Sequence, residues 1–90
     1  MTVLITVDVK NQTPENYDRM LKVLEEVLRK SPGFIAHCAY ADDDGAWRVV
    51  ETWETVADAN RFFAEHVAPN LPPGVRPKRR VQELHSLITR

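Results

Sequence analysis

In the stretch WRVVETWE, residues 47–54, a carboxylate stands between two indoles. Read as a strand, it puts Trp47, Val49, Glu51 and Trp53 on one face and Arg48, Val50, Thr52 and Glu54 on the other, because strand side chains alternate. A carboxylate in such a row either reaches water or lines a pocket. Between two indoles its charged form is poorly solvated, which suits a general base working near neutral pH. Pairing with an arginine is the structural alternative. His66 is the second candidate. It follows Phe62 by one helical turn, and an imidazole there could take a proton from a phenolic substrate. Equally, it could be a helix-end histidine favoured by the negative C-terminal dipole.

Trp47, Trp53, Phe34, Tyr40, Phe62 and Phe63 could together form an aromatic cage for a flat ligand, although a small domain also needs such side chains to fill its interior. The three histidines, His37, His66 and His85, lack metal-ligand spacings such as HxH or HxxxH, so no metal site is expected. Asp42-Asp43-Asp44-Gly45 reads as a solvated turn rather than a calcium loop, since the long ligand-bearing loop is missing.

These side chains must be held by a small frame. Ninety residues fit one domain, 1–90. Twelve basic and thirteen acidic residues give a net charge of −1, which does not suit a nucleic-acid binder. The one basic run, Arg76 to Arg80 (RPKRR), reads as a solvated loop before an edge strand, with an anion site at a pocket mouth as the weaker option. Cys38 is the sole cysteine. No intrachain disulfide can form, which suits a reducing cytoplasm. The first ten residues carry Asp8 and Lys10 and read as neither a signal peptide nor a membrane span.

Residues 2–9 predict a strand with Val3, Ile5, Val7 and Val9 on one face. Thr13 and Pro14 open a helix, Tyr17, Met20, Leu21, Leu24, Val27 and Leu28 form its apolar stripe, and Ser31-Pro32-Gly33 stops it. Strands are expected at 34–41 and 46–54, joined by the four-residue turn 42–45. Thr55 and Asp58 open a second helix, with Val56, Ala59, Phe62, Phe63, His66 and Val67 facing in. A proline-rich loop at 69–78 precedes a last strand at 79–88. The order βαββαβ predicts an α+β, ferredoxin-like sandwich: a four-stranded antiparallel sheet with both helices on one face.

That sheet has no properly wet face, and in its second strand neither side carries a formal charge apart from a possible His37. Phe34, Ala36, Cys38 and Tyr40 alternate with Ile35, His37, Ala39 and Ala41. Two helices cover one side, and the other would leave an apolar patch that a lone chain seldom tolerates. We therefore expect a homodimer formed through the outer sheet face, with Ile35, His37, Ala39 and Val50 in the interface.

The segment PGFIAHCAYADDDGAWRVVETWETVADANRFFAEHVAP resembles the antibiotic biosynthesis monooxygenase family, in its PGF, its VVETWE and its helix ending FFAEHVAP. The resemblance implies a dimeric α+β barrel with a pocket between each sheet and its helices. It also implies cofactor-independent chemistry on an aromatic or polyketide-like molecule, as an oxygenation or a proton-transfer isomerisation or cyclisation. Trp53 matches the tryptophan that lines the pocket in catalytic members. Residues 2–9 lack the asparagine of haem-degrading relatives, and Val49 stands where quinone-forming relatives tend to carry one. Glu51 and His66 would then supply the base, with no cofactor; a non-catalytic dimer that binds or carries a small hydrophobic ligand is the alternative.

Overall fold

Alternating valines and an isoleucine set the first strand, β1 (Val3–Lys10). In the computed structural model, which describes residues 1–90, its Val3, Ile5 and Val7 are buried and the residues between them are more exposed. Helix α1 (Pro14–Lys30) starts where the Thr13 hydroxyl accepts the Asn16 amide N–H, with Pro14 at its first turn. Leu24 and Leu28 are buried, whereas Val27 at the rim of the expected stripe is exposed. Strands β2 (Phe34–Ala41) and β3 (Trp47–Trp53) follow as a hairpin. Helix α2 (Val56–Phe62) is capped by Thr55, whose hydroxyl accepts the Asp58 N–H. It runs on into a π-helical turn, Phe63–Val67, and a 3-10 turn, Ala68–Asn70. The last strand is β4 (Arg76–Glu83).

The sheet is antiparallel in the order β2-β3-β1-β4, the arrangement expected for a ferredoxin-like βαββαβ chain. Val3, Ile5, Val7, Leu28, Trp53, Ala59 and Phe62 form one core between sheet and helices. Trp53 is fully buried, with Phe34 set edge-on at 5.4 Å and Phe62 at 5.6 Å between ring centres.

Three local expectations change. The hairpin pairs Ala41 with Trp47, so its connection has five residues rather than four. From Ala41 back to Ala36 this turns every β2 side chain to the opposite face, because a one-residue slip inverts a strand. His37 and Ala39 therefore face the helices, opposite Glu51 and Val49, while Cys38 and Tyr40 lie on the outer face with Val50 and Arg48. A bulge between Phe34 and Ala36, at Ile35, restores the expected pairing of Phe34 with Trp53. Of the expected interface residues, Val50 faces outward and Ile35 occupies the bulge, but His37 and Ala39 do not face outward; Ala36, Cys38 and Tyr40 take their place.

The second change is in β4, which begins at Arg76 and ends at Glu83 rather than spanning 79–88. The basic run is thus a strand, not a loop. Pro77 is tolerated because β4 is an edge strand and its missing N–H breaks no inner ladder. The third change, the π-helical turn after α2, bears on the site.

Candidate active site

The sheet pleat puts Glu51 on the helix side of β3, opposite Ile5 on β1 and His37 on β2. His37 Nδ1 and Glu51 Oε2 are 2.6 Å apart. The other ring nitrogen, Nε2, is 2.6 Å from the Tyr17 hydroxyl on α1. Glu51 Oε1 accepts the Trp53 indole N–H at 3.1 Å. Trp53 can only donate and the carboxylate can only accept, so a neutral imidazole carries its hydrogen on Nδ1, donates to Glu51, and accepts the Tyr17 O–H. Four side chains from three elements make one directed chain of hydrogen bonds, Tyr17 to His37 to Glu51, braced by Trp53. The His37 and Glu51 side chains keep only 16% and 15% of their exposure, so these bonds act where water screens them little.

The chain of bonds opens on a hollow between sheet and helices. Its volume is ≈ 110 Å³, and 12 of its 17 lining residues are hydrophobic. Space of that order holds one benzene-sized ring, and the hollow is open on one side, where a larger molecule could extend. Tyr17, His37 and Glu51 all contribute to the wall. Burial, reinforced by the charge of Glu51, pushes the Tyr17 phenol up to about 12, so it stays protonated as a donor. A second, wider groove of ≈ 460 Å³ between α1 and β2 shares Tyr17 and His37 as a common wall.

Arg79 is the only lysine or arginine on the wall of the hollow. It pairs with Val7, a buried inner-face residue, so β4 aims it toward the helices. Its guanidinium lies 4.7 Å from the centre of the Phe63 ring and donates to Asn60 Oδ1 at 3.0 Å. Burial pulls it below the usual arginine range, and the charge of Glu51 opposes that.

The expected site residues divide. Glu51, Phe62 and Phe63 line the hollow. Trp53 lies behind it in the core and anchors Glu51. Trp47 packs on Tyr17 at 5.2 Å, its indole N–H buried without a partner. Phe34 faces the second groove and the Trp53 edge. Tyr40 is on the outer sheet face, 46% exposed, because the longer hairpin inverted β2.

His66 is not beside Glu51. The π-helical turn carries an i+5 bond, Ala68 N–H to Phe63 O, and so takes more residues per turn. That rotates Val67 rather than His66 onto the wall with Phe63. His66 lies against the other side of Phe62, in a shallow recess with Ser31, Asp58, Arg61 and Glu65. No group of three or more metal-binding side chains is placed to hold an ion.

The sequence alone places Tyr17 in a packing stripe and His37 in the interface, and offers the basic run that holds Arg79 as an anion site at a pocket mouth only as the weaker option. For Arg79 a signal existed: it shares alternation with Val81, two positions on.

No protein-family profile and no curated protein sequence matches the chain. Solved structures do. A mutant form of SnoaB, a cofactor-independent oxygenase from Streptomyces nogalater, is similar with a TM-score of 0.70 at 12% identity, covering 99% of this chain and 97% of that one. Rv0793 from Mycobacterium tuberculosis gives 0.69 at 13% identity, over 99% and 100%. A candidate antibiotic biosynthesis monooxygenase from Deinococcus radiodurans gives 0.69 at 15% identity, over 99% and 97%. At these identities the likeness establishes the fold of the single chain alone, the ferredoxin-like α+β sandwich expected from the sequence.

Proposed function

We propose that the chain is a small cofactor-independent enzyme that takes an aromatic or polyketide-like molecule into the hollow between sheet and helices. Tyr17, His37 and Glu51 move a proton from it. The observation that carries this reading is the continuous Tyr17–His37–Glu51 hydrogen-bond chain ending in an apolar hollow.

A phenolic hydroxyl set against Tyr17 Oη gives its proton to that oxygen as the Tyr17 proton passes to His37 Nε2. The imidazolium is then paired with Glu51, which Trp53 holds in place; this is the base-and-orienter logic of catalytic triads. The substrate is left as an electron-rich anion. In an oxygenation it passes one electron to dioxygen, and the ring radical and superoxide combine to a peroxide anion, which takes back through Tyr17 the proton held on His37. Loss of water from the resulting hydroperoxide, with the hydrogen of the same ring carbon, gives a quinone. In an isomerisation the same proton returns to a carbon. The apolar wall keeps water from either intermediate.

The test is oxygen uptake and product formation with quinols and polyketide phenols. Glu51→Gln and His37→Ala should each lower kcat by about 100-fold or more. Wild-type turnover in both variants would reject the reading. The second reading is a non-catalytic carrier, favoured by one observation: the polar atoms of Tyr17, His37 and Glu51 already satisfy one another. Tryptophan fluorescence that reports binding of these molecules, with no oxygen uptake and no product, would select the carrier.

The working unit is proposed to be a homodimer joined through the outer sheet faces, where Ala36, Cys38 and Tyr40 are exposed beside Val50. No helix is long and apolar enough to cross a membrane. The unpaired, exposed Cys38 suits a reducing cytoplasm as the place of action.

A further inference from the structure

Arg79 is poorly accounted for by the protein around it. Every acidic side chain lies beyond ion-pair distance of it, while Arg29 and Arg61 each meet one and Arg48 meets three. Of its five N–H donors, one meets a protein acceptor, Asn60 Oδ1. A half-buried cation with no ion-pair partner is costly, and the charge of Glu51 offsets that only in part. The Phe63 ring offsets part of that cost. The remaining donors belong to a residue on the wall of a largely apolar hollow. An arginine with most of its donor fork free is the arrangement that recognises a planar, two-oxygen anion.

We propose that the hollow selects ligands carrying a carboxylate, which pairs with Arg79 while the aromatic hydroxyl of the same molecule meets Tyr17. This rests on the reading of the hollow as a ligand site and narrows it from aromatic molecules in general to aromatic hydroxy acids. The carboxylate supplies the direct ion-pair partner that the protein lacks at Arg79, and the hydroxyl at the other end is the group the Tyr17–His37–Glu51 chain deprotonates. Asn60 and Phe63 act as positioning residues, since both contact the guanidinium.

The test is calorimetric binding of hydroxynaphthoate and of its neutral methyl ester at neutral pH. Wild-type protein should bind the acid at least about tenfold more tightly than the ester, as expected for a charge-assisted pair. Arg79→Gln should remove that preference by weakening the acid alone, and Arg79→Lys should restore part of it. Asn60→Asp keeps Arg79 in place and supplies an internal counter-charge, so it too should weaken the acid about tenfold and leave the ester unchanged. Equal affinities for acid and ester in the wild type, or equal losses for both in Arg79→Gln and Asn60→Asp, would overturn the carboxylate assignment while leaving the hollow as a ligand site. Binding of neither molecule would overturn the hollow itself, and the assignment with it.

Discussion

Glu51 sits between two indoles because the middle of its strand borders a hollow, not a solid interior. Each of its two oxygens accepts a hydrogen bond, one from the His37 Nδ1–H and the other from the Trp53 indole N–H. Period-two alternation was enough to place it, since Trp47, Glu51 and Trp53 lie on one short strand. His37 was beyond the reach of that argument, because its face depends on the length of a turn several residues away. Tyr17 gives a prediction with a definite sign. Its phenol ionises near 10 in an unfolded chain and near 12 in the folded protein. Between those values the folded state keeps a proton that the unfolded state has lost, so folding stability falls as pH rises from 10 to 12. Below that window both states are protonated and the dependence vanishes. Denaturant melts across the window should show the decline in wild type and lose it in Tyr17→Phe. Ultraviolet titration should show the latest phenol step disappearing in the same variant. If Tyr17→Phe removes amplitude from the ordinary tyrosine range instead, the burial argument fails.

At the scale of elements, the junction between α1 and α2 is held by close backbone approach. Gly33 has φ +83°, and a Cβ there would lie 2.2 Å from Asp58 Oδ2. Asp58 is bonded to the Thr55 cap, and the Glu54 N–H donates to Gly33 O at 2.7 Å. Gly33→Ala must therefore force a side chain into a left-handed backbone and also displace the α2 cap. We expect a loss of about 2 kcal/mol or more, measured by chemical denaturation. Gly45 has φ +82° with open space around it, so Gly45→Ala should cost about half as much. Equal losses would contradict the role of Asp58. The caps, the helix stop and the strand order were legible because each is written in local residue types: Thr13-Pro14, Ser31-Pro32-Gly33, Thr55. The π-helical turn was not. Nothing in FFAEH signals a change of residues per turn, and α-helical spacing alone carried His66 to the wrong side of Phe62. The start of β4 was obscured by Pro77, which reads as a loop residue until the strand is known to lie at an edge.

The whole chain buries little by itself: only 10 of its 90 residues are buried. The expectation that the helices leave one sheet face uncovered holds, although the residues on that face differ. Val50 points outward from the strand that carries Glu51 inward, so the two faces can be altered separately. In sedimentation equilibrium at micromolar concentration the wild type should have twice the mass of one chain. Val50→Glu would bring like charges together across a two-fold axis, at a cost of several kcal/mol. It should give a folded monomer whose circular dichroism is unchanged. A wild-type protein of single-chain mass would remove the dimer from the account. It would leave the Tyr17–His37–Glu51 chain of hydrogen bonds as it is, since those contacts lie within one chain.

The five-residue connection and the bulge at Ile35 cancel one another's offset, so that Phe34 serves the interior while His37 serves the reactive end of the same strand. Shortening residues 42–46 by one would undo that compromise. The strand would then present Ala36, Cys38 and Tyr40 inward and send the imidazole outside. An imidazole would be exchanged for a thiol and a second phenol without any substitution. On this scaffold, gain or loss of a single codon in the hairpin is a shorter route to new reactivity than any point mutation in the hollow.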